Sequence, residues 1–114
     1  MPYLSIQTNQ SLSKDRTTEF LQKASQTVSA MLGKSENYVM VALQDANQMT
    51  FAGSTDPTAY LQLKSLGLPE AATGDFSRLL CDFIHQELDI PAERIYIEFS
   101  GPERHLWGWN NKTF

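Results

Sequence analysis

The strongest constraint on this chain is that its two halves read alike. Tyr3-Leu4 and Tyr60-Leu61 lie 57 positions apart, half of the 114-residue length, and Tyr38-Val39 and Tyr96-Ile97 lie 58 apart. Around these anchors each half carries two strand-like stretches with an amphipathic helix between them. Tyr3-Leu4-Ser5-Ile6 and Tyr60-Leu61-Gln62-Leu63-Lys64-Ser65-Leu66 alternate apolar and polar, as half-buried strands do. Tyr38-Val39-Met40-Val41-Ala42-Leu43 is almost wholly apolar, the pattern of a strand covered on both faces. Arg94-Ile95-Tyr96-Ile97-Glu98-Phe99 ends at Ser100-Gly101-Pro102.

In the first half Phe20, Leu21, Ala24, Val28, Met31 and Leu32 form one stripe at the helical period, with Gly33 as the natural stop. In the second, Phe76, Leu79, Leu80, Phe83, Ile84 and Leu88 do the same, and Pro91 blocks continuation. The order strand–helix–strand occurs twice, about a turn-rich joint at Ala52-Gly53-Ser54-Thr55-Asp56-Pro57. We read a single α+β domain over residues 1–114, built from two βαβ pseudo-repeats, about 1–57 and 58–114. Right-handed crossovers make the pairs parallel, and together they predict a four-stranded mixed sheet with both helices on one face. The second face is then uncovered. With the apolar second strand and the aromatic tail, it predicts self-association.

Composition narrows the function. Nine Lys+Arg against 13 Asp+Glu give a net charge of −4, and no basic run exists, which argues against nucleic acid and anionic membrane as partners. The lone Cys81 permits neither an internal disulfide nor a CxxC pair, and it reads as a small core hydrophobe. His85 and His105 stand apart from any ligand-spaced group, so no metal site is expected, and both read as surface residues. The opening MPYLSIQTNQ lacks the charged and apolar regions of a leader, and no apolar run reaches ~18 residues. The expectation is a cytoplasmic protein, with unconventional secretion, which needs no leader, left open.

Met1-Pro2 leading directly into a strand, Gly33-Lys34 closing a long helix, Ser65-Leu66-Gly67, Leu79-Leu80-Cys81, Arg94-Ile95-Tyr96-Ile97 and the ending Gly108-Trp109-Asn110-Asn111-Lys112-Thr113-Phe114 together resemble the macrophage migration inhibitory factor family of the tautomerase superfamily. The resemblance covers essentially the whole chain. It implies a homotrimer whose sheets line a central barrel, with sites between neighbouring subunits. It also implies cofactor-free keto–enol tautomerisation of small aromatic α-keto acids such as phenylpyruvate.

Pro2 is the implied base. Once Met1 is removed it carries a secondary amine whose reference pKa of ~7.7–8.0 burial or a nearby cation lowers towards neutrality. Its counterpart in the second repeat, Ala59, has no free amine, so one half alone can host the base. By position alone Pro2 merely starts an edge strand, where a missing N–H is tolerated. The resemblance gives Lys34 the substrate carboxylate, although a lysine there also solvates a helix C-terminus. It places Ser65 beside the site and gives the Leu66 backbone N–H a carboxylate oxygen. Tyr96, reaching from a neighbour, becomes an aromatic wall. Trp107, Trp109 and Phe114 rim the pocket, with Tyr38 and Phe99 as companions, unless this tail only packs subunits together.

Two departures stand out. Glu98 replaces the Asn usual in vertebrate members, and a carboxylate there would repel an anionic substrate and raise the amine's pKa. Trp107 replaces a smaller aliphatic residue and narrows the pocket. The thiol pair of some relatives is absent, its places held by Thr58 and Leu61. A protein-directed, cytokine-like role with a weak or vestigial site and a protein receptor is the alternative function.

Overall fold

The structure is a computed structural model and describes residues 1–114. The strand β1 (Pro2–Thr8) leads to the helix α1 (Lys14–Leu32) and the strand β2 (Met40–Gln44). The second unit is β3 (Ala59–Ser65), α2 (Thr73–Leu88) and β4 (Ile95–Ser100), followed by a short hairpin of β5 (Gly108–Trp109) and β6 (Lys112–Thr113). Strand order is β2-β1-β3-β4. Each unit supplies a parallel pair, β1 with β2 and β3 with β4, and the units meet through antiparallel β1 and β3. Pro2 lies opposite Ser65 and Ala59 opposite Thr8. The first residues of the two repeats therefore sit at opposite ends of the sheet.

Alternation decides what the strands bury. Pro2, Leu4, Ile6 and Thr8 of β1 and Ala59, Leu61, Leu63 and Ser65 of β3 are buried, and the residues between them are not. The helices cover that face with Phe20, Ala24 and Val28 from α1 and Phe76, Leu80 and Ile84 from α2. Each large side chain buried here contributes about 1.5–3 kcal/mol of transfer free energy. Across the two helices the rings of Phe20 and Phe83 lie 5.4 Å apart.

Local signals set the helix ends. The Ser13 side chain accepts from the Arg16 N–H at 3.2 Å. Gly33, at φ 63°, takes the left-handed turn that ends α1. The second helix ends at Leu88, before Pro91 as expected, and a left-handed residue makes the stop. Asp89 adopts φ 56° and its N–H bonds the His85 carbonyl, so α2 stops two residues before Pro91 is reached.

Three expectations need correction. Tyr38 lies in a single 3₁₀ turn rather than in β2, because the Ser35 hydroxyl accepts from the Asn37 N–H and tightens the chain there. Arg94 likewise precedes β4 in a 3₁₀ turn. The uncovered sheet face is largely polar. Val41 and Leu43 share register with Leu4 and Ile6 and turn towards the helices. The open face instead presents Ser5, Gln7, Gln44, Gln62, Lys64, Glu98 and Ser100, with Tyr3, Tyr60, Tyr96, Met40 and Ala42. Gln7 donates to Gln44 at 2.8 Å and Gln62 to Glu98 at 3.1 Å across it. On the edge strand β2, Met40 is the apolar side chain left without cover, at 65% exposed.

The joint between the repeats is held by two side chains. Asn9 donates to the carbonyls of Thr55 and Asp56, both at 3.0 Å, and accepts from the Thr58 N–H at 3.0 Å. The Arg94 guanidinium donates to the carbonyls of Phe51, Ser54, Asp56 and Pro57 at 2.9–3.1 Å and lies 5.3 Å from the Phe51 ring centroid.

Candidate active site at the start of the first strand

Pro2 opens β1, fully buried, between the ends of β2 and β3. A proline fits there because it is the first residue of its strand, where the ladder loses least from a missing N–H. The amine of Met1 directly before it is lowered from 8.0, first by burial and second by the charge of Lys34. The backbone that carries Lys34 is fixed independently of its side chain. The Lys34 N–H donates to the Ser29 carbonyl at 3.1 Å, and the Ser29 hydroxyl donates to the Lys34 carbonyl at 2.5 Å. The left-handed turn at Gly33 thus delivers an ammonium to the amine.

A cavity of about 840 Å³ opens at this end of the sheet. Met1, Pro2 and Lys64 line it together with Tyr38, Trp107 and Trp109. The aromatic wall is built edge to face. Tyr38 and Trp109 have ring centroids 5.8 Å apart at 81°, and Phe114 stacks behind Trp109 at 6.0 Å and 11°. The β5–β6 hairpin presents Trp109. It turns through Asn110 and Asn111 at φ 53° and 66°, the pair of positive angles that a two-residue type I′ turn requires. The Phe114 N–H donates to the Trp107 carbonyl at 3.2 Å and closes the tail on itself.

Among the sequence-predicted residues, the chain brings Pro2, Lys34, Trp107 and Trp109 to one end of the sheet, with Phe114 behind. Ser65 is buried opposite Pro2, its hydroxyl turned to the Leu66 carbonyl at 3.2 Å, and Leu66 is buried beside it. Two residues lie elsewhere in the same chain. Tyr96 is level with Tyr60, five residues along β3 from the partner of Pro2, roughly 17 Å at 3.3 Å per residue. It is 64% exposed on the open face and packs on Phe51 at 4.8 Å. Glu98 is level with Gln62, three residues or roughly 10 Å along, on the same open face. Within one chain Glu98 is not among the groups that shift the Met1 amine, whose pKa is lowered by burial and by Lys34. Phe99 packs against the core and is no companion of the tail, whereas Tyr38 is.

Sequence reasoning missed Lys64 and Met40 as cavity residues. Alternation in the third strand put Lys64 on the face away from Leu63, but only the register, Tyr3 opposite both Lys64 and Met40, brings them to the amine. Cys81 is half-buried, and its thiol is pushed up chiefly by burial, which suits a packing role more than a nucleophile.

The profile of the macrophage migration inhibitory factor (MIF) family matches residues 1–114. A macrophage migration inhibitory factor homolog of Brugia malayi is 37% identical over 115 residues, covering 100% of this chain and 99% of that one. A homolog of Trichinella spiralis is 35% identical, with both chains covered completely. Among solved structures, the homologue from Prochlorococcus marinus is 43% identical with a TM-score of 0.90 over 98% of both chains. The Trichinella spiralis structure gives a TM-score of 0.90 at 32% identity, over 98% of this chain and 99% of the other.

Proposed function

The chain belongs to the macrophage migration inhibitory factor family of the tautomerase superfamily, and from that premise we propose that it is a cofactor-free keto–enol tautomerase of aromatic α-keto acids of the phenylpyruvate type. The single observation that carries the reading is the place of Pro2, fully buried at the mouth of an aromatic cavity, at a point where burial and Lys34 lower the pKa of the Met1 amine next to it. Removal of Met1 would make Pro2 the amine, one residue further in and fully buried where Met1 is only half-buried.

In this reading the Lys34 ammonium and the Leu66 N–H hold the substrate carboxylate, and Ser65 packs beneath them. The substrate ring lies against Trp109, with Phe114 and Tyr38 supporting it and Trp107 narrowing the entrance. The Pro2 nitrogen takes a proton from the carbon between ring and carbonyl. The freed electron pair becomes the carbon–carbon double bond of the enol as the carbonyl double bond opens onto oxygen. Water gives that oxygen its proton, and the Pro2 ammonium returns its own proton to the hydroxide left behind. Ketonisation runs the same steps backwards. No atom is gained or lost overall, so the chemistry calls for a base, a proton donor, which water supplies, and an anion anchor.

Tyr96 and Glu98 can join the site only from another copy, since their own chain holds them at other levels of the sheet. We therefore propose a homotrimer with sites between subunits, the exposed edge strand β2 supporting association. No helix is long and apolar enough to cross a membrane, and a single half-buried cysteine suits a reducing cytoplasm. A second, protein-directed reading follows from the exposed rim of Leu106 and Trp109, 69% and 46% accessible, against which a receptor could pack.

The test is the ketonisation rate of enol-phenylpyruvate with protein whose amino terminus has been verified by mass spectrometry. A rate well above buffer that is lost in Pro2→Ala supports the enzyme. No rate with Met1 verified absent overturns it and leaves the protein-directed reading.

A further inference from the structure

This acidic chain has few cations, and most are engaged. Arg16, Lys23 and Arg78 are in ion pairs, Arg94 is surrounded by carbonyls, and Lys112 lies over Trp109. Lys64 is different. It is half-buried, lines the cavity that holds Pro2, and has no carboxylate within 4.0 Å. Its nearest acidic neighbour on the open face is Glu98, diagonal to it across β3 and β4, and that carboxylate accepts from Gln62 instead. No Asp or Glu lines the cavity.

Two ammonium groups from independent elements therefore serve this end of the sheet, Lys64 lining the cavity and Lys34 acting on the amine beside it. Lys34 follows the last turn of α1 and acts on the amine, and Lys64 comes from the end of β3. One substrate carboxylate satisfies only one of them. A cation drawn partly out of water beside Tyr3, Met40 and Trp107 gains most from a second anion.

We propose that Lys64 is a second anion anchor, so that the preferred substrates are aromatic α-keto acids carrying a further acidic group. The inference rests on the reading of this cavity as the α-keto acid site. It assigns the α-carboxylate to Lys34 and the distal acid to Lys64, with the ring between them against Trp107 and Trp109. A dianion held at both ends presents its reacting carbon to the amine in one orientation.

The experiment reads binding separately from turnover. Trp107 and Trp109 are the only tryptophans and both line the cavity, so their fluorescence reports occupancy. The probes are the unreactive pair phenylacetate and 4-carboxyphenylacetate, titrated into the wild type, Lys64→Gln and Lys64→Arg. The wild type is expected to favour the dianion by roughly tenfold or more, the worth of one hydrogen bond to a charged group. The ratio falls to near one in Lys64→Gln and is kept in Lys64→Arg. Equal affinities in the wild type, or a preference that survives Lys64→Gln, overturn the proposal. Phenylpyruvate ketonisation by the same samples separates the two readings. Turnover without dianion preference overturns the anchor and leaves the tautomerase. A preference abolished by Lys64→Gln without turnover supports the anchor and overturns the tautomerase.

Discussion

Replacing Lys34 by Gln tests how the fold tunes its base. The substitution is clean, because the turn that places residue 34 is held by backbone and Ser29 hydrogen bonds that do not involve the lysine side chain. Two effects follow. Loss of a charged hydrogen bond to the substrate carboxylate is worth about 1.5–3 kcal/mol. Lys34 is only half-buried, so solvent screening puts the loss at the lower end, about tenfold in kcat/KM. The second effect is on the amine. Burial and Lys34 both lower the pKa of the Met1 amine, burial more, and the same two causes act on the amine that Pro2 carries once Met1 is removed. The working form is the free amine, so a lowered pKa extends activity to lower pH, and rate falls as pH drops through that value. Without Lys34 the amine's pKa moves part of the way back towards 8.0 and the acid limb of the profile moves up in pH. The loss in Lys34→Gln must therefore be larger near neutrality than at about pH 9, where the amine is free in both proteins. Ketonisation of enol-phenylpyruvate followed across pH measures both effects. A profile whose limb stays in place, with kcat/KM within about twofold of wild type, would refute the reasoning.

Arg94→Ala should destabilise the chain by about 2–3 kcal/mol, because four carbonyls of the inter-repeat joint lose a charged donor at once. Urea unfolding measures it, and a change under about 0.5 kcal/mol would contradict it. Arg94→Lys should fail to rescue, since one ammonium cannot span the carbonyls that the planar fork reaches. Leu61→Ala, at the fully buried centre of β3, should cost about 2–5 kcal/mol with the m-value unchanged. Glu98→Asn should raise kcat/KM for phenylpyruvate by about threefold if a neighbouring subunit brings this carboxylate to the site. An unchanged kcat/KM would place Glu98 outside it in the assembly as well.

Much of this architecture is local, which is why alternation and helical stripes reveal it. Leu4, Ile6, Leu61 and Leu63 declare the buried face of the central strands at a period of two. Phe20, Ala24 and Val28 declare the covering helix at 3.6. The errors fall where a non-local partner decides. The apolar run at residues 38–43 suggested cover on both faces. Register instead turns Val41 and Leu43 inward and leaves Met40 on an open edge. Arg94 sits beside a strand pattern but is drawn out of it by the carbonyls of a distant loop. Asp89 ends α2 with a left-handed turn that proline spacing does not reveal.

The site divides in the same way. Gly33-Lys34 and the Trp109-to-Phe114 ending are short motifs, and their local geometry is legible in sequence. Lys64 became visible only when the antiparallel register set it opposite Tyr3. Likewise, the distance of Tyr96 and Glu98 from Pro2 follows from sheet register, which one strand pattern alone cannot supply.

The central claim is that a proline amine at the start of β1 is the base. The most direct measurement is deuterium uptake from D₂O at the benzylic carbon of phenylpyruvate, followed by NMR. It compares two forms of the same chain, one beginning at Pro2 and one retaining Met1, each verified by mass spectrometry. Retention of Met1 turns the Pro2 nitrogen into an amide while leaving Lys34 and the aromatic wall in place. The account predicts exchange by the form beginning at Pro2 and a loss of about 100-fold or more on retention of Met1. Equal exchange by both forms would contradict it.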